Sequence, residues 1–185
     1  MKSNFNSFLT FLMFITLGIT FSINAQNQFI GAAACGICHK KAEDGQQLKI
    51  WQESAHANAF KTLQSEESDK IAKDKGLTKK ASESPECLSC HVTGHGVDAK
   101  LFTAKFKIEN GVQCEACHGA GSEYKTKKIM QDRAVAISKG LTDFSAEGSI
   151  EKKCITCHNE KSPTFKGFKF DEMWAKIKHE IPKKG

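Results

Sequence analysis

Apolar and polar positions follow several distinct rhythms along the chain, and each rhythm predicts an element. An apolar run from Phe8 to Phe21 follows Lys2 and ends before Ser22, Ile23, Asn24 and Ala25. Spanning hydrocarbon takes about 20 apolar residues, and this run is shorter and dotted with threonine. It predicts a Sec-type signal peptide over residues 1–25, cleaved after Ala25, with residues 26–185 left as one domain. Residues 46–64 predict a helix, because His56, Phe60 and Leu63 share a face at i, i+4, i+7 spacing. Ser65 to Lys75 is a charged stretch closed by Gly76 and reads as solvated surface. Ser84-Pro85 has the form of a helix start and places Cys87 to His91 on helical turns. Phe102, Ala104, Phe106 and Ile108 alternate ahead of Asn110-Gly111, which predicts a short extended segment. Ser122 to Lys139, closed by Gly140, predicts the longest helix of the domain, with Ile129, Met130, Ala134 and Ile137 inward. Asp171 to His179 predicts a short amphipathic helix, capped by Asp171 and ended by Pro182.

These elements predict a mostly α, small and loop-rich fold with little β. They leave little hydrophobic core for a domain of this length, so something other than side chains must supply buried apolar mass. The net charge of +6 comes from lysines scattered among acids, which reads as solvated surface rather than a nucleic-acid footprint. After cleavage of the leader the sequence predicts no membrane span.

The cysteines identify the missing mass. All 8 fall into pairs of one form: Cys35-Gly-Ile-Cys38-His39, Cys87-Leu-Ser-Cys90-His91, Cys114-Glu-Ala-Cys117-His118 and Cys154-Ile-Thr-Cys157-His158. This is the signature of covalent haem attachment, four times over. Both thiols must reach the vinyl groups along one porphyrin edge, and the next side chain then swings under the ring to give iron its proximal histidine. Disulfides, zinc ribbons and thioredoxin-like sites also use cysteine pairs, but none needs histidine after every second one. The cofactors predicted are therefore four haem c groups. The first cysteines of successive motifs are 52, 27 and 40 residues apart, which argues against a simple repeated unit.

Four irons offer eight axial positions, and the motifs fill four of them with His39, His91, His118 and His158. Of the 7 histidines, His56, His95 and His179 remain. If each is a distal ligand, three haems are bis-histidine and one keeps an open or differently filled site. Each has a plainer reading, as a packed side chain on a helical face (His56), an exposed turn residue between Gly94 and Gly96 (His95), or a residue complementing a helix dipole (His179). His95 follows His91 too closely to reach the far side of the same haem, so its iron would belong to a neighbouring group. Met130 and Met173 are the other candidates, as axial thioethers.

Three stretches make the chain similar to the cytochrome c554 family of multihaem cytochromes. They are Trp51-x-x-Ser54-x-His56-Ala57, Cys87-Leu-Ser-Cys90-His91-Val-Thr-Gly94, and Gly111-Val-Gln-Cys114-Glu-Ala-Cys117-His118-Gly119-Ala-Gly121-Ser122. The resemblance implies three bis-histidine haems and one five-coordinate haem, the second in motif order, held by His91.

The function this predicts is electron transfer by an exported protein of the periplasm or cell surface, with redox proteins as donor and acceptor and lysines steering their docking. Reduction of a small nitrogen oxide at the open haem is the first alternative, although no set of acid and base groups accompanies it beyond Tyr124 and surface carboxylates. A polymeric conduit, in which His179 of one chain ligates iron in the next, is the other; a monomer is the simpler expectation.

Overall fold

A computed structural model describes residues 26–180. The predicted signal peptide lies outside the described residues, as does Pro182. Ten short α-helices follow one another among the described residues: α1 Ala32–Gly36, α2 Gln47–Gln52, α3 Ala59–Thr62, α4 Glu66–Asp74, α5 Pro85–His91, α6 Cys114–His118, α7 Lys127–Met130, α8 Arg133–Ser138, α9 Ser149–Cys154 and α10 Phe170–Ile177. Among the described residues β structure is confined to one isolated parallel bridge, Phe29 to Phe102. The fold is mostly helical and rich in loops, as the sequence predicts.

Several helices differ in detail from their sequence rhythm. The segment predicted as one helix over 46–64 is two, α2 and α3, separated by turns that carry His56. The segment 122–139 likewise breaks, because Asp132 leaves the helix and its carboxylate caps α8 by accepting from the Val135 N–H at 3.1 Å. The longest helix is instead α4, the charged stretch. Its ends explain it: the Ser65 hydroxyl accepts from the Ser68 N–H at 3.2 Å, Glu66, Glu67 and Asp69 fill the first turn, and Lys73 sits in the last. Pro85 opens α5 at a position where a missing N–H costs nothing. The alternating stretch 102–108 forms no strand; Phe29, Phe102 and Phe106 instead cluster, with ring centroids 4.6 to 6.1 Å apart. In α10 the N-cap is Lys169, and Asp171 lies in the first turn rather than at the cap.

The protein's own core is small. Leu63, Ala72 and Ala81 form the buried cluster, with Leu77, Cys87 and Leu88 packed against it. Meanwhile Ile37 and Ile155 are 63% and 45% exposed, and both lie inside the cysteine motifs.

Candidate metal centres

Each Cys-x-x-Cys-His group sits on a helical turn, so both thiols and the imidazole share one side. In the first motif the His39 N–H donates to the Cys35 carbonyl at 3.1 Å, and in the fourth His158 does the same to Cys154 at 3.0 Å. The second and third motifs lie within α5 and α6. None of the eight cysteines is in a disulfide.

The residues that surround these turns fit haem better than a bare ion. Zinc in a structural site takes four protein ligands, and among the described residues no group of three or more His, Cys, Asp or Glu converges. Two pairs of histidine rings face each other, and His39 lies within electrostatic reach of the second pair. The His56 and His158 ring centroids are 6.0 Å apart and those of His118 and His179 5.8 Å. An iron with imidazole on both sides needs a gap of about 6 Å between rings, since each Fe–N bond is about 2 Å and each ring centre lies about 1 Å behind its nitrogen. Apolar clefts adjoin the motifs, as porphyrin requires. One of about 550 Å³ is walled by Ile155, His158, Phe165 and Phe168.

The second motif's histidine is oriented from behind. His91 Nδ1 lies 2.9 Å from the Ala59 carbonyl, which can only accept, so Nδ1 carries the proton and Nε2 is left free for a metal. His91 and His39 enter no ring pair with another histidine among the described residues.

His56, placed on a helix by the sequence, is held on a turn by residues far along the chain. The Trp51 indole N–H donates to the Val112 carbonyl at 2.7 Å, and the Val112 N–H donates back to the His56 carbonyl at 3.0 Å. Gly111 makes this approach possible: its φ is +66°, and a Cβ there would meet the His56 oxygen at 2.7 Å. His179 lies two residues past α10 and meets His118 of the same chain. His95 sits between Gly94 and Gly96, both at positive φ, in the predicted tight turn. It lines a cleft of about 430 Å³ with Val97, Phe102, Phe106 and Ile108, and the structure does not bring it to another histidine. Met173 is exposed on α10 and Met130 half-buried in α7.

Burial and the neighbouring His179 and His39 push the His118 pKa down to about 4, and burial with His158 lowers that of His56. Both are thereby kept as neutral imidazoles, the form that binds a metal. Thiols from different motifs also adjoin. The Cys35 thiol hydrogen-bonds to Cys114, which pushes Cys35 up and draws Cys114 down. Cys90 adjoins Cys157, and Cys117 lies near Cys154 and Cys157.

The sequence reading missed the groups that stack on the histidines: Phe168 lies 4.9 Å from the His158 ring and Phe144 meets His118 edge-on at 6.0 Å. It also missed Thr93, Gln113 and Glu115, polar side chains almost fully buried at 1 to 2% exposure. Polar residues set directly against a cysteine motif were the available signal for Gln113 and Glu115.

Residues 34–119 match the sequence family described as cytochrome c554 and c-prime. Cytochrome c-554 of Nitrosomonas europaea is 29% identical over 185 aligned positions, which cover 85% of this chain and 76% of that protein. No solved structure matches the chain.

Proposed function

We propose, from the match of residues 34–119 to the cytochrome c554 family and the likeness to cytochrome c-554, that this chain is a c-type cytochrome of that family, an exported tetrahaem carrier serving redox proteins of the periplasm or cell surface. The count rests on the four Cys-x-x-Cys-His motifs, and the observation that supports axial ligation is the facing of histidine rings in two pairs. We assign His158 with His56, and His118 with His179, as axial pairs on the fourth and third haems in motif order. Cys35 and Cys38, Cys87 and Cys90, Cys114 and Cys117, and Cys154 and Cys157 hold the four groups, with His39 and His91 as the remaining proximal ligands. By exclusion we assign His95, which meets no other histidine ring among the described residues, to the first haem with His39.

Bound haem supplies a one-electron iron couple, and the chain's own residues set its conditions. They hold neutral imidazoles at fixed separation, line the adjoining clefts with apolar side chains, and bring attachment thiols of different motifs side by side. Exposed lysines would steer acidic partners at a rate that falls with salt. The domain that does this is residues 26–185, after loss of the leader.

A second reading attaches to His91. With its Nδ1 tied to Ala59 and its ring outside both facing pairs, although His158 lies within electrostatic reach, its haem would be the one suited to bind a small ligand such as nitric oxide. A polymeric conduit is less well supported, since His179 already faces His118 of its own chain.

Low-temperature EPR of the oxidised protein, with haem quantified as the pyridine haemochrome, tests the assignment. Four haems with three low-spin and one high-spin centre are expected. Four low-spin centres would remove the open site, and fewer than four haems would end the tetrahaem reading.

A further inference from the structure

The most deeply buried acid in the protein is one the ligand inventory does not use. Glu115 lies inside the third motif, between Cys114 and Ala116, and is 2% exposed. Its carboxylate accepts from the Ile30 N–H at 2.9 and 3.1 Å, the Gly31 N–H at 2.8 Å and the Gly121 N–H at 2.8 Å. Two of these donors are the free N–H groups that lead into α1, whose N-cap Gly31 offers no side chain. The next N–H, from Ala32, goes to Gln113 Oε1 at 2.9 Å, and the Gln113 backbone N–H goes to Thr93 Oγ1 at 2.7 Å, just past the second motif. The start of motif one is therefore capped by side chains of motif three, and both are tied to the end of motif two.

A cap alone does not need a charge, because the neutral Gln113 performs the same task one donor further on. The carboxylate adds a negative charge in a site closed to water, where Coulomb interactions are weakly screened. Its field reaches the attachment thiols of two motifs, Cys35 and Cys114, and the Tyr124 hydroxyl. Ferric haem carries one more positive charge than ferrous haem, so a fixed anion nearby favours the oxidised state.

We propose that Glu115 is a positioning residue with a redox role: it latches motif one to motif three, and its buried charge lowers the reduction potentials of the haems these two motifs hold. This rests on the tetrahaem reading above.

The test is a spectroelectrochemical titration of purified holoprotein, after haem content has been counted. Glu115→Gln keeps the shape and removes the charge, and two of the four potentials should move upward while two stay in place. Glu115→Asp keeps the charge and shortens the reach; it should lower the denaturation midpoint yet hold the potentials near wild type. Gln113→Ala cuts the neighbouring cap without touching charge, and it too should cost stability while leaving the potentials in place. If Glu115→Gln leaves all four potentials unchanged, or if Gln113→Ala moves the same two equally, the redox role is overturned and only a structural latch stands. If Glu115→Gln yields no holoprotein, the aspartate variant decides, because upward shifts in it would exclude a charge effect. A wild-type haem count below four would instead overturn the tetrahaem reading, independently of Glu115.

Discussion

At the scale of single residues, the two histidine pairs make the sharpest predictions. His56→Ala and His179→Ala should each convert one low-spin haem to high spin without loss of covalent haem, because attachment depends on the intact cysteine motifs. Each change should also raise affinity for carbon monoxide at the vacated position. EPR spin counting with a carbon monoxide titration checks both, and an unchanged low-spin count in His56→Ala would break the pairing with His158. Acid acts on the same residues. Burial beside His179 and His39 holds the folded His118 pKa down at about 4, below the 6.5 of the free side chain, and burial beside His158 lowers that of His56. Between those values the unfolded chain takes up protons that the folded one refuses, so stability is full above about pH 6.5 and falls as pH drops toward 4. Iron ligation as proposed would shift proton affinity in the same direction. The guanidinium midpoint of the holoprotein should therefore fall between pH 7 and pH 4.5, and a flat midpoint would contradict the buried, neutral pairs. Gly111→Ala meets the backbone of His56 at a positive φ and should cost about 1–3 kcal/mol, readable in the same denaturation curve.

At the scale of elements, short helices were legible where the chain carries its own punctuation. Pro85 marks the start of α5, and Gly94 and Gly96 mark the turn at His95. Ser65→Ala should destabilise α4 by about 1 kcal/mol, since it removes the oxygen that receives the Ser68 N–H; an unchanged midpoint would mean that α4 frays without consequence. Periodicity misled where a helix is interrupted for the sake of a long-range contact. His56, Phe60 and Leu63 have helical spacing, yet the chain turns between α2 and α3 so that the His56 carbonyl can receive Val112. The alternation from Phe102 to Ile108 resembles a strand, but with no neighbouring strand to pair with, the rings gather into a cluster with Phe29 instead. In each case the deciding partner is dozens of residues away, beyond any local window.

At the scale of the whole molecule, the buried cluster of Leu63, Ala72 and Ala81 is too small to hold 155 described residues together unaided. Chain made in cells that lack haem-attachment machinery should show weak helical circular dichroism and no cooperative unfolding, whereas the holoprotein should show both; a cooperatively folded apoprotein would mean that the haems are not the core. The sequence by itself determined the attachment chemistry, the helical class and the inventory of seven histidines. Those depend on residue identity at spacings within one turn of helix, which a linear reading sees in full. It left open which histidine faces which, why Trp51 and Gly111 belong to one site, and what Glu115 does. Only the tertiary structure decided these, because they depend on donors and acceptors brought together across the chain: Ile30 to Glu115, Trp51 to Val112, His91 to Ala59. A buried carboxylate and a solvated one look alike in sequence, and the three backbone N–H groups that surround Glu115 exist as a site only once motif one has folded against motif three.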